Sequence, residues 1–165
     1  MKPHADAIDV RQLITTSLIE MFSMMIALEA KPVAESEELL AGERVTGCIA
    51  VVGATVSGTV YVHLPDGLAK LAAGKLLRIK PEELDGGAEV NDVVGEICNI
   101  VAGKLKSALT NAGEACGVST PTIIRGTSFA VESTEILSKE SVYFECLNHK
   151  LCVEVHLKHS QPCRV

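Results

Sequence analysis

The segment from Ala88 to Leu109 constrains this chain more than any other part of it. Plotted at about 100° per residue, Val90, Val94, Ile97, Cys98, Val101, Leu105, Ala108 and Leu109 gather on one side. Glu89, Asp92, Glu96, Asn99, Gly103 and Lys106 fall on the other. The spacing predicts a long helix with one buried face, so the rest of the chain has to supply a surface for that face to cover. Most amphipathic helices carry polar residues outside merely for solubility. Here the choice of residues departs from that pattern, because Gly95, Asn99 and Gly103 interrupt an otherwise good helix, each at roughly 0.5–1 kcal/mol against Ala. Local costs of this kind often mark function. Asp92, Glu96 and Asn99 are neighbours at i, i+3 or i+4 spacing, and Gly103 one turn on leaves bare surface that the backbone of another macromolecule can approach.

With 165 residues and 47% hydrophobic content, the whole chain, residues 1–165, is expected to bury one core as a single domain. A net charge of −6 and 3% aromatic residues argue against nucleic acid as a partner, since such proteins need a basic face and stacking rings. A protein or small-molecule partner is expected instead. Cys48, Cys98, Cys116, Cys146, Cys152 and Cys163 are scattered without disulfide-framework spacing and read as small hydrophobes in a reducing cytoplasm. Cys146, His149, Cys152 and His156 lack the close ligand pairing of a zinc site, so no metal is expected. The apolar run Leu13–Leu28 is broken by Glu20 and flanked by Asp6, Asp9 and Glu29, which fits a core helix, with Met21, Met24 and Met25 packed inside, better than a membrane span or export signal.

Further elements follow from pattern. Lys31 to Glu43 reads as a polar connector; Arg44–Val52 and Ser57–Leu64 read as two strands around a turn; Asp66 to Leu77 reads as a helix with Leu68, Leu71, Ala72 and Leu76 inward. After the long helix, Asn111–Thr120 reads as a loop and Pro121 opens a β-prone stretch, Thr122–Val131. Glu132–Ser141 reads as a polar connection before a hairpin, Val142–Leu147 and Leu151–Leu157, with Leu151, Val153, Val155 and Leu157 on its one buried face. The order of helix, two strands, two helices and three strands predicts an α+β domain, an antiparallel sheet covered by helices. No histidine stands at nucleophile spacing from a Ser or Cys, and no phosphate-cradling glycine loop is present.

The series Asp92-x3-Glu96-x2-Asn99-x21-Pro121, with Glu-Ile-Cys-Asn-Ile-Val-Ala-Gly over 96–103 and Pro-Thr-Ile-Ile-Arg-Gly over 121–126, resembles the signature of the CheC/CheX/FliY phosphatases of bacterial chemotaxis. The resemblance in element order runs from about Val10 to Lys158. It implies a CheC-like/CheX-like fold and hydrolysis of the aspartyl phosphate on a CheY-like response-regulator receiver. By the same resemblance, Asn99 orients the attacking water and Glu96 pairs with the receiver's conserved lysine, a catalytic pair. Asp92 and Gly103 then belong to the partner-binding surface and Pro121 is structural. No cofactor is bound by this chain; Mg²⁺ is expected on the phosphorylated receiver.

CheC-type relatives carry two such sites and CheX-type relatives one. Here the first helix offers only Glu20-x2-Ser23, in apolar surroundings that read as packing, so the resemblance favours the CheX type, which commonly dimerises through its β-structure. A homodimer is therefore expected, in the cytoplasm, with the receiver supplied by another chain. Lys104 and Leu105 depart from the small or polar continuation of many relatives and bear on receiver choice. Two readings from other classes stand beside the phosphatase: a non-catalytic adaptor using the same helix, and a small-molecule module, which requires an enclosed apolar pocket.

Overall fold

A computed structural model describes residues 8–35, 41–85, 87–135 and 138–159. Its architecture follows from alternation along two long central strands. In β2 (Glu43–Gly53), Val45, Gly47, Ile49 and Val51 turn to one side and are buried. In β3 (Val56–Pro65), Val60, Val62 and Leu64 share that side, because the register pairs Val45 with Leu64 and Ile49 with Val60. The sheet has seven strands, all neighbours antiparallel. The others are β1 (Lys31–Val33), β4 (Cys116–Val118), β5 (Thr122–Thr127), β6 (Ser138–Cys146) and β7 (His149–His159). Their order is β1-β6-β7-β3-β2, with β4 and β5 sharing the outer edge of β2. Three helices, α1 (Val10–Met21), α2 (Asp66–Leu77) and α3 (Ala88–Asn111), cover one face, with α3 packed between the other two. The α+β expectation, an antiparallel sheet covered by helices, holds.

The long helix extends two residues beyond its expected end, and its buried face takes in Val93, Gly95 and Ala102 as well as the residues foreseen, of which Ala108 alone is only half-buried. It lies very close to the sheet. A Cβ placed on Gly47 would stand 3.0 Å from Cys98 Cβ and 3.3 Å from both Val94 Cγ1 and the Val94 carbonyl oxygen, so the hydrogen at this position sets the distance between α3 and β2.

Several expectations need correction. The connector after Lys31 holds β1, which pairs with β6 through Val33 and Tyr143, and the loop after Asn111 holds β4. Both are three-residue edge strands, too short for an alternation to register. The last hairpin is longer than its apolar runs: it turns on Leu147 and Asn148, both at positive φ, as a two-residue loop of the I′ kind requires. The first helix ends in a π-helical turn over Phe22–Ile26. The wider turn keeps Ile14, Leu18, Phe22 and Ile26 on one buried stripe and turns Met24, 83% exposed, and Met25 outward. Only Met21 of the three methionines is core, and Glu20 and Ser23 are exposed rather than packed.

In the final hairpin, β7 is buried on both faces. Cys152, Glu154 and His156 are buried on the second side of the sheet, which residues 128–135 cross from Arg44 to His156. That segment is fastened by the Phe129 carbonyl accepting from Arg44 Nη2, the Phe129 ring 3.9 Å from the Arg44 guanidinium carbon, and Ser133 Oγ 2.9 Å from His156 Nδ1. His156 Nε2 in turn lies 3.0 Å from Glu154 Oε2, which also takes Lys139 at 3.4 Å. A Ser–His–Glu chain thus exists that spacing did not show; its imidazole is almost fully covered, and we read it as the latch of this segment.

Two outcomes follow. Gly47→Ala should lower stability by about 1–3 kcal/mol in urea unfolding, because the added methyl pushes against α3 backbone; an unchanged midpoint would refute the close-contact account. His63 is 2% exposed, with Nδ1 2.9 Å from Thr46 Oγ1, and burial, outweighing the attraction of Glu154, lowers its pKa to about 4. The folded value lies below the unfolded one near 6.5, so the folded state resists the proton. The associated stability is present above pH 6.5 and is lost as pH falls toward 4, on the order of 3 kcal/mol. His63→Asn should flatten this acid loss in unfolding curves taken across that range; an equally steep loss would assign it elsewhere.

Candidate functional site

The exposed strip of α3 is what remains once α1, α2 and the sheet have taken its other sides. Asp92, Glu96 and Asn99 are all exposed, and Gly103 is half-buried with nothing within 4 Å of a Cβ placed on it. The carboxylate of Glu96 and the carboxamide of Asn99 therefore project together from one rigid element, three residues apart. Beside them a shallow depression of about 270 Å³ is lined by Asn91, Asp92, Gly95, Glu96, Asn99, Pro121 and Ile123.

The far wall of that depression comes from a break in the edge strand. Val118 pairs with Val51, and Thr122 with Cys48, so residues 119–121 on one side oppose only 49–50 on the other. This is a one-residue bulge on an edge, where a proline is tolerated. Ser119 closes the ladder across it: its N–H donates to the Ala50 carbonyl at 2.9 Å, and its Oγ accepts from the Ala50 N–H at 3.0 Å. The bulge brings Pro121 over α3, where a Cβ on Gly95 would meet the proline Cγ at 3.3 Å. The glycine that interrupts the helix is thus the seat of the proline ring. Pro121 ends up beside Glu96 and Asn99 in space, 22 positions after Asn99 in sequence.

Sequence reasoning missed Asn91 and Arg125. Arg125, on β5 opposite Val45, donates to Asn91 Oδ1 through Nε at 3.0 Å and Nη2 at 2.7 Å, reaches the Gly87 carbonyl at 3.3 Å, and lies 3.6 Å from Asp66. Asn91 stands at i−4 from Gly95, a spacing visible in the sequence; the role of Arg125 depends on strand register, which is not.

Among the described residues no three His, Cys, Asp or Glu side chains converge on a metal position. The Cys146, His149, Cys152, His156 group is divided by the sheet: Cys146 and His149 pair on the helix side, whereas Cys152 and His156 point to the other. The described cysteines are free thiols; burial raises those of Cys98 and Cys152 to about 12, so they serve as packing. Cys163 lies outside the described residues. A larger cleft of about 490 Å³ on the second side of the sheet is lined by Ser133, Glu135, His156 and Lys158 among others and shares no residue with the α3 strip. Among the described residues, no helix is long and apolar enough to cross a membrane.

Comparison with known proteins agrees with this fold. The chain is similar to the chemotaxis protein CheX from Vibrio vulnificus at 27% identity and a TM-score of 0.77, over 92% of this chain and 97% of that one. It is similar to a CheC-like superfamily protein from Shewanella sp. PV-4 at 26% identity and a TM-score of 0.77, over 92% and 98%. A CheX from Borrelia burgdorferi, solved in complex with CheY, BeF3 and Mg²⁺, shares the fold at 18% identity and a TM-score of 0.65, over 92% and 99%. No curated protein matches significantly in sequence. The family described as chemotaxis phosphatase CheX matches residues 45–146, which take in most of β2, all of β3 and α3, and Pro121, and the chain belongs to that family.

Proposed function

We propose that this protein accelerates hydrolysis of the aspartyl phosphate on a CheY-like receiver, with Asn99 orienting the attacking water and Glu96 pairing with the receiver's lysine. The observation that carries this reading is the joint exposure of Glu96 and Asn99 on a helix braced on three sides. Such a pair is of little use to a site within the monomer and well suited to insertion into a partner. The receiver supplies the phosphoryl group and Mg²⁺, so what a second protein adds is water placement and charge organisation. A carboxamide both donates and accepts hydrogen bonds without charge, which lets it hold water beside an anionic phosphoryl group that would repel a carboxylate. The carboxylate one turn away meets an ammonium group and sets the docking register.

The CheX–CheY complex from Borrelia burgdorferi supports a CheY-like partner for this chain. Asp92 extends the acidic docking surface and Gly103 keeps it low enough for a partner's backbone. The adaptor reading uses the same surface without turnover, and the two separate on rate. The small-molecule reading requires Glu96 to be enclosed in its own monomer, whereas it is exposed.

Asn99→Ala should slow phosphate release from a phosphorylated, Mg²⁺-loaded receiver by about 100-fold at saturation. Glu96→Ala should mainly raise KM, by about ten- to a hundredfold for a lost charge-assisted bond. Unchanged release in Asn99→Ala rejects the water-positioning role, and tight binding without any acceleration by the wild type selects the adaptor. Gly103→Ala should raise stability by about 0.5–1 kcal/mol, since nothing crowds the added methyl and Ala favours helix, while weakening docking. A variant both more stable and equally tight would remove Gly103 from the interface.

A further inference from the structure

Asn91 stands on the stripe that also carries Gly95 and Asn99, at i, i+4 and i+8, and lines the same depression. Its side chain is not at liberty to turn over. Two nitrogens of Arg125 approach one of its terminal atoms, at 2.7 and 3.0 Å. A guanidinium donates and does not accept, so the atom it faces is the carboxamide oxygen and the NH₂ group points away from Arg125. Among the described residues no hydrogen bond takes that NH₂. Arg125 is itself braced by the Gly87 carbonyl at the start of α3 and by Asp66 on α2, so the donor is oriented before any partner arrives.

Two features say what this donor meets. At 1.5 Å per residue, Asn91 lies about 12 Å along the helix from Asn99, too far to touch atoms that Asn99 touches. Asp66 is paired with Arg125 and Lys70, and the Arg125 guanidinium beside Asn91 offsets part of the negative charge of Asp92 and Glu96; a neutral main-chain carbonyl, which those two carboxylates do not repel as they would a partner carboxylate, is the fitting acceptor. We infer that Asn91, oriented by Arg125, is a specificity-determining contact that donates a hydrogen bond to a main-chain carbonyl of the receiver at the rim of the docking surface. This rests on the reading of the α3 strip as the receiver-docking surface. It makes receiver choice depend on where a partner's backbone presents an unpaired carbonyl, and it makes Arg125 a positioning residue that acts through Asn91.

The test is binding of the full chain to CheY-like receivers of the source organism, each loaded with Mg²⁺ and BeF3, together with steady-state phosphate release. Asn91→Asp keeps an oxygen for Arg125 and loses the donor; Asn91→Ala loses the donor without adding charge. Both should raise Kd and KM about three- to tenfold, with kcat and Tm near those of the wild type. Wild-type affinity in both variants overturns the inference. So does weakening by Asn91→Ala alone, which marks a packing role, or by Asn91→Asp alone, which marks charge repulsion. Asn99→Ala serves as the separate arm: normal kcat in that variant refutes the hydrolytic reading, while the binding data on Asn91 still decide the present one.

Discussion

The approach of α3 to β2 at Gly47 is the contact on which the rest of the structure depends. A hydrogen in place of a side chain lets Val94 and Cys98 rest on strand backbone, and their positions fix the rotation of the whole helix about its axis. Once that rotation is fixed, the strip carrying Glu96 and Asn99 has one direction left to face. The sheet beneath and α1 and α2 on either flank together bury Val90, Ile97, Val101 and Leu105 and make the outward strip rigid. In the proposed hydrolysis this rigidity matters, since small misplacements of the attacking water forfeit much of what positioning contributes.

The same strip is finished from outside the helix. A one-residue bulge in the edge strand sets Pro121 against Gly95, and Ser119 restores the hydrogen bonds that the bulge interrupts. Arg125, four residues on from Pro121, ties the strand to the first turns of α3 through Asn91 and Gly87. A short stretch of edge strand thus supplies a wall and a brace for the helix. Gly95, which looks like a defect in a helix read alone, becomes a seat for Pro121, and Asn91 an anchored side chain, once the strand is beside them.

Much of this was legible in the residues. The 3.6-residue period over 88–109 and the alternation in β2 and β3 were strong enough to give helix, strands and exposed face nearly to the residue. The motif running from Asp92 to Pro121 was legible as well, through its resemblance to a known family. What escaped was information carried by register. Neither β1 nor β4 is long enough to show a period, and each exists because a neighbouring strand offers unpaired edge. The π-helical turn that expels Met24 and Met25 shifts the period by one residue, which a regular helical wheel cannot follow. The second buried face of β7 was hidden because Glu154 and His156 look like solvent-facing residues until the 128–135 segment crosses that side of the sheet and meets His156. Arg125 was invisible for a related reason: its partners lie 34 and 38 positions earlier in the chain and meet it only across the sheet edge.

The central claim is that this helix enters the active site of a partner. The most direct measurement is a crystal structure of the protein bound to a Mg²⁺- and BeF3-loaded CheY-like receiver. The account predicts the Asn99 carboxamide at hydrogen-bond distance from the fluoride group or from a water beside it, and Glu96 paired with a receiver lysine. A receiver seated on the β1 edge or on the second side of the sheet, with the α3 strip left open to solvent, would contradict it.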